Sequence, residues 1–401
     1  MNPEDHNSDS RPHDRLRVVF VTERFWPLSG PTELHVGELA TELNRQGHSI
    51  HIVTSKQERT WPSLLDYREI PVKRIAKGSG GPWANFRYAR RFGNYFSETD
   101  HLNAILIFGI SIVTYSILRA VGKETPVVVF VNRSLIGADS IEQIPKRYID
   151  ALKRCRAVTT DCPLLAEELS QHKGMPHIHV VAPAAAAAPQ TPSLSSQSGA
   201  RASLSEAHPI LGVDAGQPLA ITSLTNNNDE GILDAIKAWA TVVQQRPKAK
   251  LWVVGEGKLA SQVWQQIVDL NLIQSVIMPG CFDDDDGLLL AADLYMHTYR
   301  TPRVDACLIR AMAKQRCVLA TRNRWTESFL ESGENSLLAP ADNPAALAEA
   351  ILLGFDKSDL RSRLASQGEK TAELHFSLAQ QSRRFLKLLR LPTDQPCETT
   401  S

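Results

Sequence analysis

Two kinds of pattern alternate along this chain. Short runs dense in apolar residues, RVVFVT (17–22), HSIHIVTS (48–55), NAILIF (103–108), PVVVFV (126–131), AVTT (157–160) and HIHVVA (177–182), punctuate the first half. PLAITSL (218–224), KLWVVG (250–255), SVIMPG (275–280), DLYMHTY (293–299) and CVLAT (317–321) punctuate the second. Amphipathic stretches at helical spacing lie between them. Strand, helix, strand repeated predicts doubly wound parallel sheets. The two halves are separated by APAAAAAPQTPSLSSQSGARASLS (182–205), poor in large apolar side chains. That composition predicts a linker over 182–206.

This division predicts two similar α/β domains, 16–181 and 207–376, of about 165 residues each. Disordered tails are expected at 1–15 and 392–401, with a helix, SLAQQSRRFLKLLRL, over 377–391. Open α/β sheets take ligands at the carboxyl ends of their strands, so two facing sheets predict an interdomain cleft. After the first strand, FWPLSGPTELHVGELATELNRQGH (25–48) places a Gly-containing turn before a helix expected to turn Leu34, Leu39 and Leu43 inward. Such a junction offers free N–H groups and a positive dipole end to an anion. VVGEGK (253–258) is a second glycine turn after a strand.

Composition narrows the classes. The 44 basic and 44 acidic residues leave no net field, so general attraction to nucleic acid is not implied and membrane contact is at most peripheral. Cysteines 155, 162, 281, 307, 317 and 397 form no CxxC pair and read as thiols of a reducing compartment. No apolar run reaches about 18 residues and the start, MNPEDHNSDSRPHDR, is polar, so a cytoplasmic location is expected. There is no GxSxG elbow, Walker loop or HExxH.

Charge is nonetheless concentrated locally. TYRTPRVDACLIRAMAKQRC (298–317) carries Arg300, Arg303, Arg310, Lys314 and Arg316 against a single acid, Asp305. If VDACLIRAMAK is helical, Arg303, Arg310 and Lys314 share one stripe. That stripe is either a solvated face or an anion-binding one. FDDDDG (282–287) precedes an apolar helix and reads as acids at a helix N-terminus rather than a metal site. PWANFRYARRFGNYF (82–96) interleaves Arg87, Arg90 and Arg91 with aromatics; Tyr88, Phe92, Tyr95 and Phe96 fit a core stripe, and the arginines are candidates to face a lipid-linked or anionic acceptor.

Several segments, in order, carry a resemblance. RVVFVTERFWPLSGPTELHVGELATELNRQGHSIHIVTS is similar to the N-terminal signature of group 1, family 4-like glycosyltransferases of the GT-B fold. LGVDAGQPLAITSL, DEGILDAIKAWATV, LWVVGEGK, VIMPGCF, AADLYMHTY, IRAMAKQRCVLAT, ESGENSLLAPADNPAALAEAI and HFS follow in that family's order. The resemblance covers essentially 16–390. It implies two Rossmann-like domains facing a cleft and a nucleotide-sugar donor held mainly by the second domain. It further implies an unknown acceptor facing the first, and a final helix crossing back to it. Retaining transfer of a hexosyl type, with no cofactor or essential metal, would follow.

The family's chemical positions are altered. Its Arg and Lys in the loop after the first strand of the second domain fall on Ser223 and Glu230. Its two donor-contacting Glu fall on Pro302 and Arg310, and its His after PVVVFV on Asn132. The paired glycines of the first turn appear as Gly30-Pro31, and Pro has no N–H to give a phosphate. Arg324-Trp325 stands where a Gly pair is expected, and alanines 184–187 replace a polar segment. His35 and Glu33 match residues common near the first turn.

Two accounts follow. In one, the site is rebuilt: Arg310, with Arg300, Arg303, Arg322 and Arg324, supplies phosphate-binding charge, and Gly30, Gly255 and Gly257 shape the pocket, with Arg87, Arg91 and His35 on the acceptor side. In the other, the chain is a degenerate relative acting as a ligand-binding or protein-partner subunit.

Overall fold

A computed structural model of the chain describes residues 15–28, 31–77, 83–97, 102–132, 135, 143–181, 184, 196–225, 229–282, 285–302 and 304–390. The fold divides into two compact units. One comprises residues up to Asp161, Leu165–Val181 and those from Ser382 onward; the other comprises Cys162–Leu164 and Ala182–Gln381.

In the first unit, β1 (Arg17–Thr22), β2 (Ser49–Lys56), β3 (Leu64–Tyr67), β4 (Ile70–Ala76), β5 (Ala104–Phe108), β6 (Val127–Val131), β7 (Ala157–Thr160) and β8 (Ile178–Val180) form one sheet. Its order is β3-β4-β2-β1-β5-β6-β7-β8, parallel except for the β3–β4 hairpin. The connecting helices are α1 (Pro31–Arg45), α2 (Ala84–Ser97), α3 (Ile112–Ala120), α4 (Lys146–Leu152) and α5 (Pro163–Ser170). Central strands such as β5 and β6 are buried throughout, as a sheet covered on both faces requires. In α1 the inward stripe is Val36, Leu39, Ala40 and Leu43, at helical spacing, all fully buried. Leu34 is 50% exposed, which corrects the expectation that it points inward: at 100° per residue it falls well away from that stripe.

The second unit contains β9 (Leu219–Leu224), β10 (Lys250–Gly255), β11 (Val276–Gly280), β12 (Leu294–His297), β13 (Cys317–Thr321) and β14 (Leu337–Ala339). The order is β11-β10-β9-β12-β13-β14 and every pairing is parallel. The helices are α6 (Gln197–Ala207), α7 (Gly231–Gln245), α8 (Ala260–Asp269), α9 (Asp286–Ala291), α10 (Ala306–Ala313), α11 (Pro344–Asp356) and α12 (Ser358–Phe376). Strand periodicity splits the core into two layers. Leu251 and Val253 join Trp239 of α7 in one, while Trp252 joins Tyr295 and the α10 residues Leu308 and Met312 in the other.

Two stretches differ from the sequence expectation. The segment 197–206, expected to be linker, is part of α6. Ser196 caps it by accepting from the Gly199 N–H at 3.1 Å. Arg201 is buried, with Nη2 3.0 Å from Asp293 Oδ2 and Nε donating to the Ala291 carbonyl at 2.9 Å. Small residues that resemble a linker in composition are here what lets a helix lie close to its neighbours: Ala200 is fully buried. The last helix, α13 (Leu378–Arg390), contributes Phe385, Leu386, Leu388 and Leu389 to the core of the first unit, beside Phe20, Ile52 and Leu43.

Candidate functional site

The carboxyl edge of the second sheet carries two glycine junctions, after β10 and before α7. β10 ends on Gly255, whose φ of +109° is open to glycine and costly for other residues. A Cβ there would lie 2.2 Å from the Leu224 carbonyl oxygen, so the backbone of this turn is necessarily bare. Gly257 accepts from the Ala260 N–H at 3.0 Å and leads into α8. At the start of α7, Gly231 presses on the end of β12: a Cβ would come within 1.7 Å of the Thr298 carbonyl oxygen. Asp229 fixes this junction. Its carboxylate accepts from the N–H groups of Gly231 at 3.0 Å, Arg300 at 2.9 Å and Thr301 at 2.8 Å, and from the Thr301 hydroxyl at 2.5 Å. Burial works to raise this carboxyl, but the Thr301 hydroxyl and the three N–H groups hold it below the usual carboxylate range.

Ser223, the last residue but one of β9, sits inside a buried network. Its hydroxyl donates to Asp305 Oδ2 at 3.2 Å and lies 3.0 Å from the Tyr295 hydroxyl. Tyr295 also donates to Asp305, and His297 Nδ1 lies 3.1 Å from the same oxygen. The other Asp305 oxygen accepts from the Cys307 N–H at 2.9 Å, capping α10. Burial opposes ionisation of Asp305, but His297, Tyr295 and the Cys307 N–H hold its carboxyl below the ordinary range. Burial pushes the phenols of Tyr295 and Tyr299 up, keeping both as donors. A fixed negative charge therefore stands at the N-terminus of α10, favoured by the helix dipole.

The cationic stretch that follows faces acids of its own unit. Arg310 Nη1 is 2.6 Å from Asp285 Oδ1, and Lys314 Nζ is 2.8 Å from Asp286 Oδ2. The described acids of FDDDDG thus lie at the start of α9 as expected, but Asp285 makes no side-chain cap; it pairs with α10. Asp283 and Asp284 lie outside the described residues, as do Arg303 and Gly30. Arg300 reaches Asp234 at 2.7 Å, Asp342 at 2.9 Å and Glu230 at 3.7 Å. Glu230 is exposed, Pro302 partly buried, and Arg322 pairs with Glu327 at 3.1 Å; Arg324 is exposed. Both Arg310 and Arg300 are thus engaged by carboxylates rather than presented free to an anion. Among the described residues no three His, Cys, Asp or Glu gather in a way that could hold a metal ion. Cys155, Cys162 and Cys317 are buried and outside any disulfide among the described residues, whereas Cys281 is exposed.

In the first unit, His35 of α1 packs its ring 5.2 Å from Phe130 and 5.9 Å from Phe108, at the carboxyl ends of β6 and β5. Its Nε2 is shielded and has no hydrogen-bond partner among the described residues, and burial pushes the imidazole down to about 4. Asn132, just beyond β6, accepts from the Leu135 N–H at 2.8 Å. It also hydrogen-bonds Asp161, just beyond β7, a carboxyl that burial raises to about 7. Sequence reading missed Asp161 because nothing local marks it. On α2, Tyr88, Phe92 and Phe96 are buried and Arg87, Arg90 and Arg91 exposed.

His35 carries a testable consequence. It is neutral in the fold, while the unfolded chain takes a proton near 6.5, so between these values the unfolded state binds more protons. Acidification through that window is expected to cost the first unit about 3 kcal/mol. His35→Leu should flatten that pH dependence, read as the urea midpoint at neutral and mildly acid pH. A slope unchanged in the variant would place the effect elsewhere.

Comparison with known proteins decides the family. A model described as glycosyl transferases group 1 matches residues 217–354, and one described as glycosyltransferase family 4 matches 32–185. The chain belongs to the group 1 glycosyltransferases. Among curated relatives, the chain is 26% identical over 147 residues to the lipopolysaccharide core biosynthesis glycosyltransferase LpsE of Rhizobium meliloti, a match covering 37% of this chain and 43% of that protein. It is 27% identical over 154 residues to the putative glycosyltransferase EpsD of Bacillus subtilis, covering 38% and 39%. Those matches span less than half the length of either relative. Its fold is similar to a glycosyltransferase of Rickettsia africae (TM-score 0.69, 15% identity, 94% of this chain and 98% of that one). It is likewise similar to Anabaena HepE, solved with UDP and glucose (TM-score 0.66, 17% identity, 94% and 99%). The fold is thus GT-B, with two Rossmann-like units. No described helix of the chain is long and apolar enough to cross a membrane.

Proposed function

We propose that this glycosyltransferase uses a nucleoside diphosphate sugar as donor, bound at the carboxyl edge of the second unit's sheet. In this reading it transfers a hexosyl group with retention, without an essential metal, to an acceptor held by the first unit. The observation that carries the reading is the Gly255 turn. Any side chain there collides with the Leu224 carbonyl, so bare backbone lines the edge where open α/β sheets take their ligands. Family membership and the UDP bound by HepE point to the same donor class.

Asp305 favours a second reading, of a chain that binds without transferring. An ionised carboxylate joined to Ser223, with Glu230 exposed nearby in sequence, puts negative charge where the family gathers positive charge to meet the departing diphosphate. One experiment separates the two. Melting temperature is followed with UDP, GDP, ADP and their sugar conjugates, since a ligand of the native state raises it. Release of the nucleotide from the donor that binds is then assayed. A shift accompanied by release supports transfer, a shift without release supports nucleotide binding alone, and no shift with any nucleotide sinks the donor reading and leaves the non-catalytic, protein-partner one. Glu230→Lys, at an exposed position, is expected to tighten UDP binding about fivefold, the effect of about 1 kcal/mol. Unchanged affinity would remove Glu230 from the diphosphate's surroundings.

A further inference from the structure

Arg316, the last cation of the 298–317 stretch, is held by carbonyls alone: Nε donates to Lys314 at 3.0 Å, and Nη1 to Leu290 at 3.2 Å and Ala292 at 3.3 Å. It stands directly before β13, as Asp293 stands directly before β12. Asp293 Oδ2 accepts from the N–H of Leu219, the first residue of β9, at 2.9 Å. These three strands are neighbours and parallel, so both side chains mark the amino edge of the second sheet, opposite the Gly255 turn. Two more arginines reach the same place from helices. Arg201 of α6 lies 3.0 Å from Asp293 Oδ2, and Nη2 of Arg361, on α12, lies 3.9 Å from Oδ1.

Three guanidinium groups thus surround one carboxylate. Helix ends offset part of the excess: Arg201 and Arg316 donate to carbonyls at the end of α9, and Arg361 to Gly354 and Phe355 near the end of α11. Each helix end carries roughly half a negative charge, which leaves about one positive charge over. Burial pushes the Arg316 guanidinium down; Asp293 acts upward on it, and Arg201 and Arg361 downward. A cluster that served packing alone would pair its charges. Here donors are also left over. Among the described residues, neither Nη2 of Arg316 nor Nε and Nη2 of Arg361 makes a hydrogen bond, and the Arg361 side chain is 25% exposed.

We propose that Arg316 and Arg361 hold a phosphate-class oxyanion at the amino edge of the second sheet, with Arg201 and Asp293 fixing the frame. A guanidinium edge suits an oxyanion, and a tetrahedral one offers an oxygen to each of two arginines, whereas chloride has no directional acceptor. The site lies away from the carboxyl edge, so it does not depend on the donor reading.

The test follows the melting temperature of the full chain with inorganic phosphate, with glycerol phosphate and with chloride at equal ionic strength. Phosphate is expected to raise it with a saturable dependence, since it binds the native state, and chloride is not. A site open to a phosphomonoester takes both phosphates; one fitted to the free ion takes inorganic phosphate alone. Arg361→Gln should weaken phosphate binding at least about tenfold, the effect of losing one charged hydrogen bond. Arg361→Lys keeps the charge without the fork and should recover part of that affinity, which separates lost binding from lost folding. A rise matched by chloride, or no rise at all, would overturn the proposal. So would a phosphate affinity unchanged in Arg361→Gln, which would put the ion elsewhere, the donor edge included.

Discussion

Gly231→Ala is expected to destabilise the second unit by more than about 3 kcal/mol, far outside the usual range for an alanine at a helix start. An added Cβ would sit 1.7 Å from the Thr298 carbonyl oxygen and 2.7 Å from its carbon, both backbone atoms that cannot rotate aside. Relief requires α7 to withdraw from β12. That withdrawal breaks the Gly231 N–H bond to Asp229, and pulls on the bonds by which Asp229 holds Arg300 and Thr301. Replacing glycine by alanine ordinarily stabilises a helix by about 1 kcal/mol, so the two effects have opposite signs and the measurement is decisive. Urea unfolding gives the answer through the indoles of Trp239 and Trp252, both fully buried in this unit. A variant as stable as the parent would mean that α7 is not seated against Thr298.

The second large effect is at Asp305. Asp305→Ala removes the common acceptor of Ser223, Tyr295 and His297 and uncaps α10 in one step. Removing one partner of a buried charged network costs about 3–5 kcal/mol, because the others are left without partners away from water. Asp305→Asn keeps the shape and one acceptor oxygen, so it should recover part of that loss. The pH dependence has a fixed sign. The folded carboxyl titrates below its unfolded value, so its contribution is complete above the unfolded value and is lost as pH falls through the folded one. Both variants should therefore show a shallower loss of stability in acid than the parent. An equally steep acid limb would show that other carboxylates carry it.

How much of this was legible in the sequence depends on the range over which each signal acts. Runs such as AVTT and CVLAT are strands with the bounds their sequence suggests, because a strand buried on both faces is apolar without interruption. β4 was missed: Pro71, Lys73 and Arg74 interrupt its apolar run, although its burial alternates over Ile70–Arg74, and Arg74 is buried by donating to the Trp26 carbonyl at 2.6 Å. β14 has three residues, too few for any periodicity. The site was less legible than the fold. Positions such as Ser223 and Glu230 could be placed by resemblance, but the partners of the cationic stretch could not. Arg300 finds Asp234 across 66 residues and Arg310 finds Asp285 across 25, distances over which charge patterning carries no information. The concentration of positive charge that stood out in the sequence is largely balanced by acids that only folding brings alongside.

The last helix has a consequence for biosynthesis. Phe385, Leu386, Leu388 and Leu389 belong to the core of the first unit, yet they are the last apolar side chains of the described chain to leave the ribosome. Everything from Ala182 to Gln381 is made in between and belongs to the other unit. At about 5–20 residues per second, the amino-terminal half must wait roughly ten to forty seconds with an unfinished core. During that wait its apolar sheet face is a substrate for chaperones, and the natural order of maturation is reversed: the half made second is the first able to close.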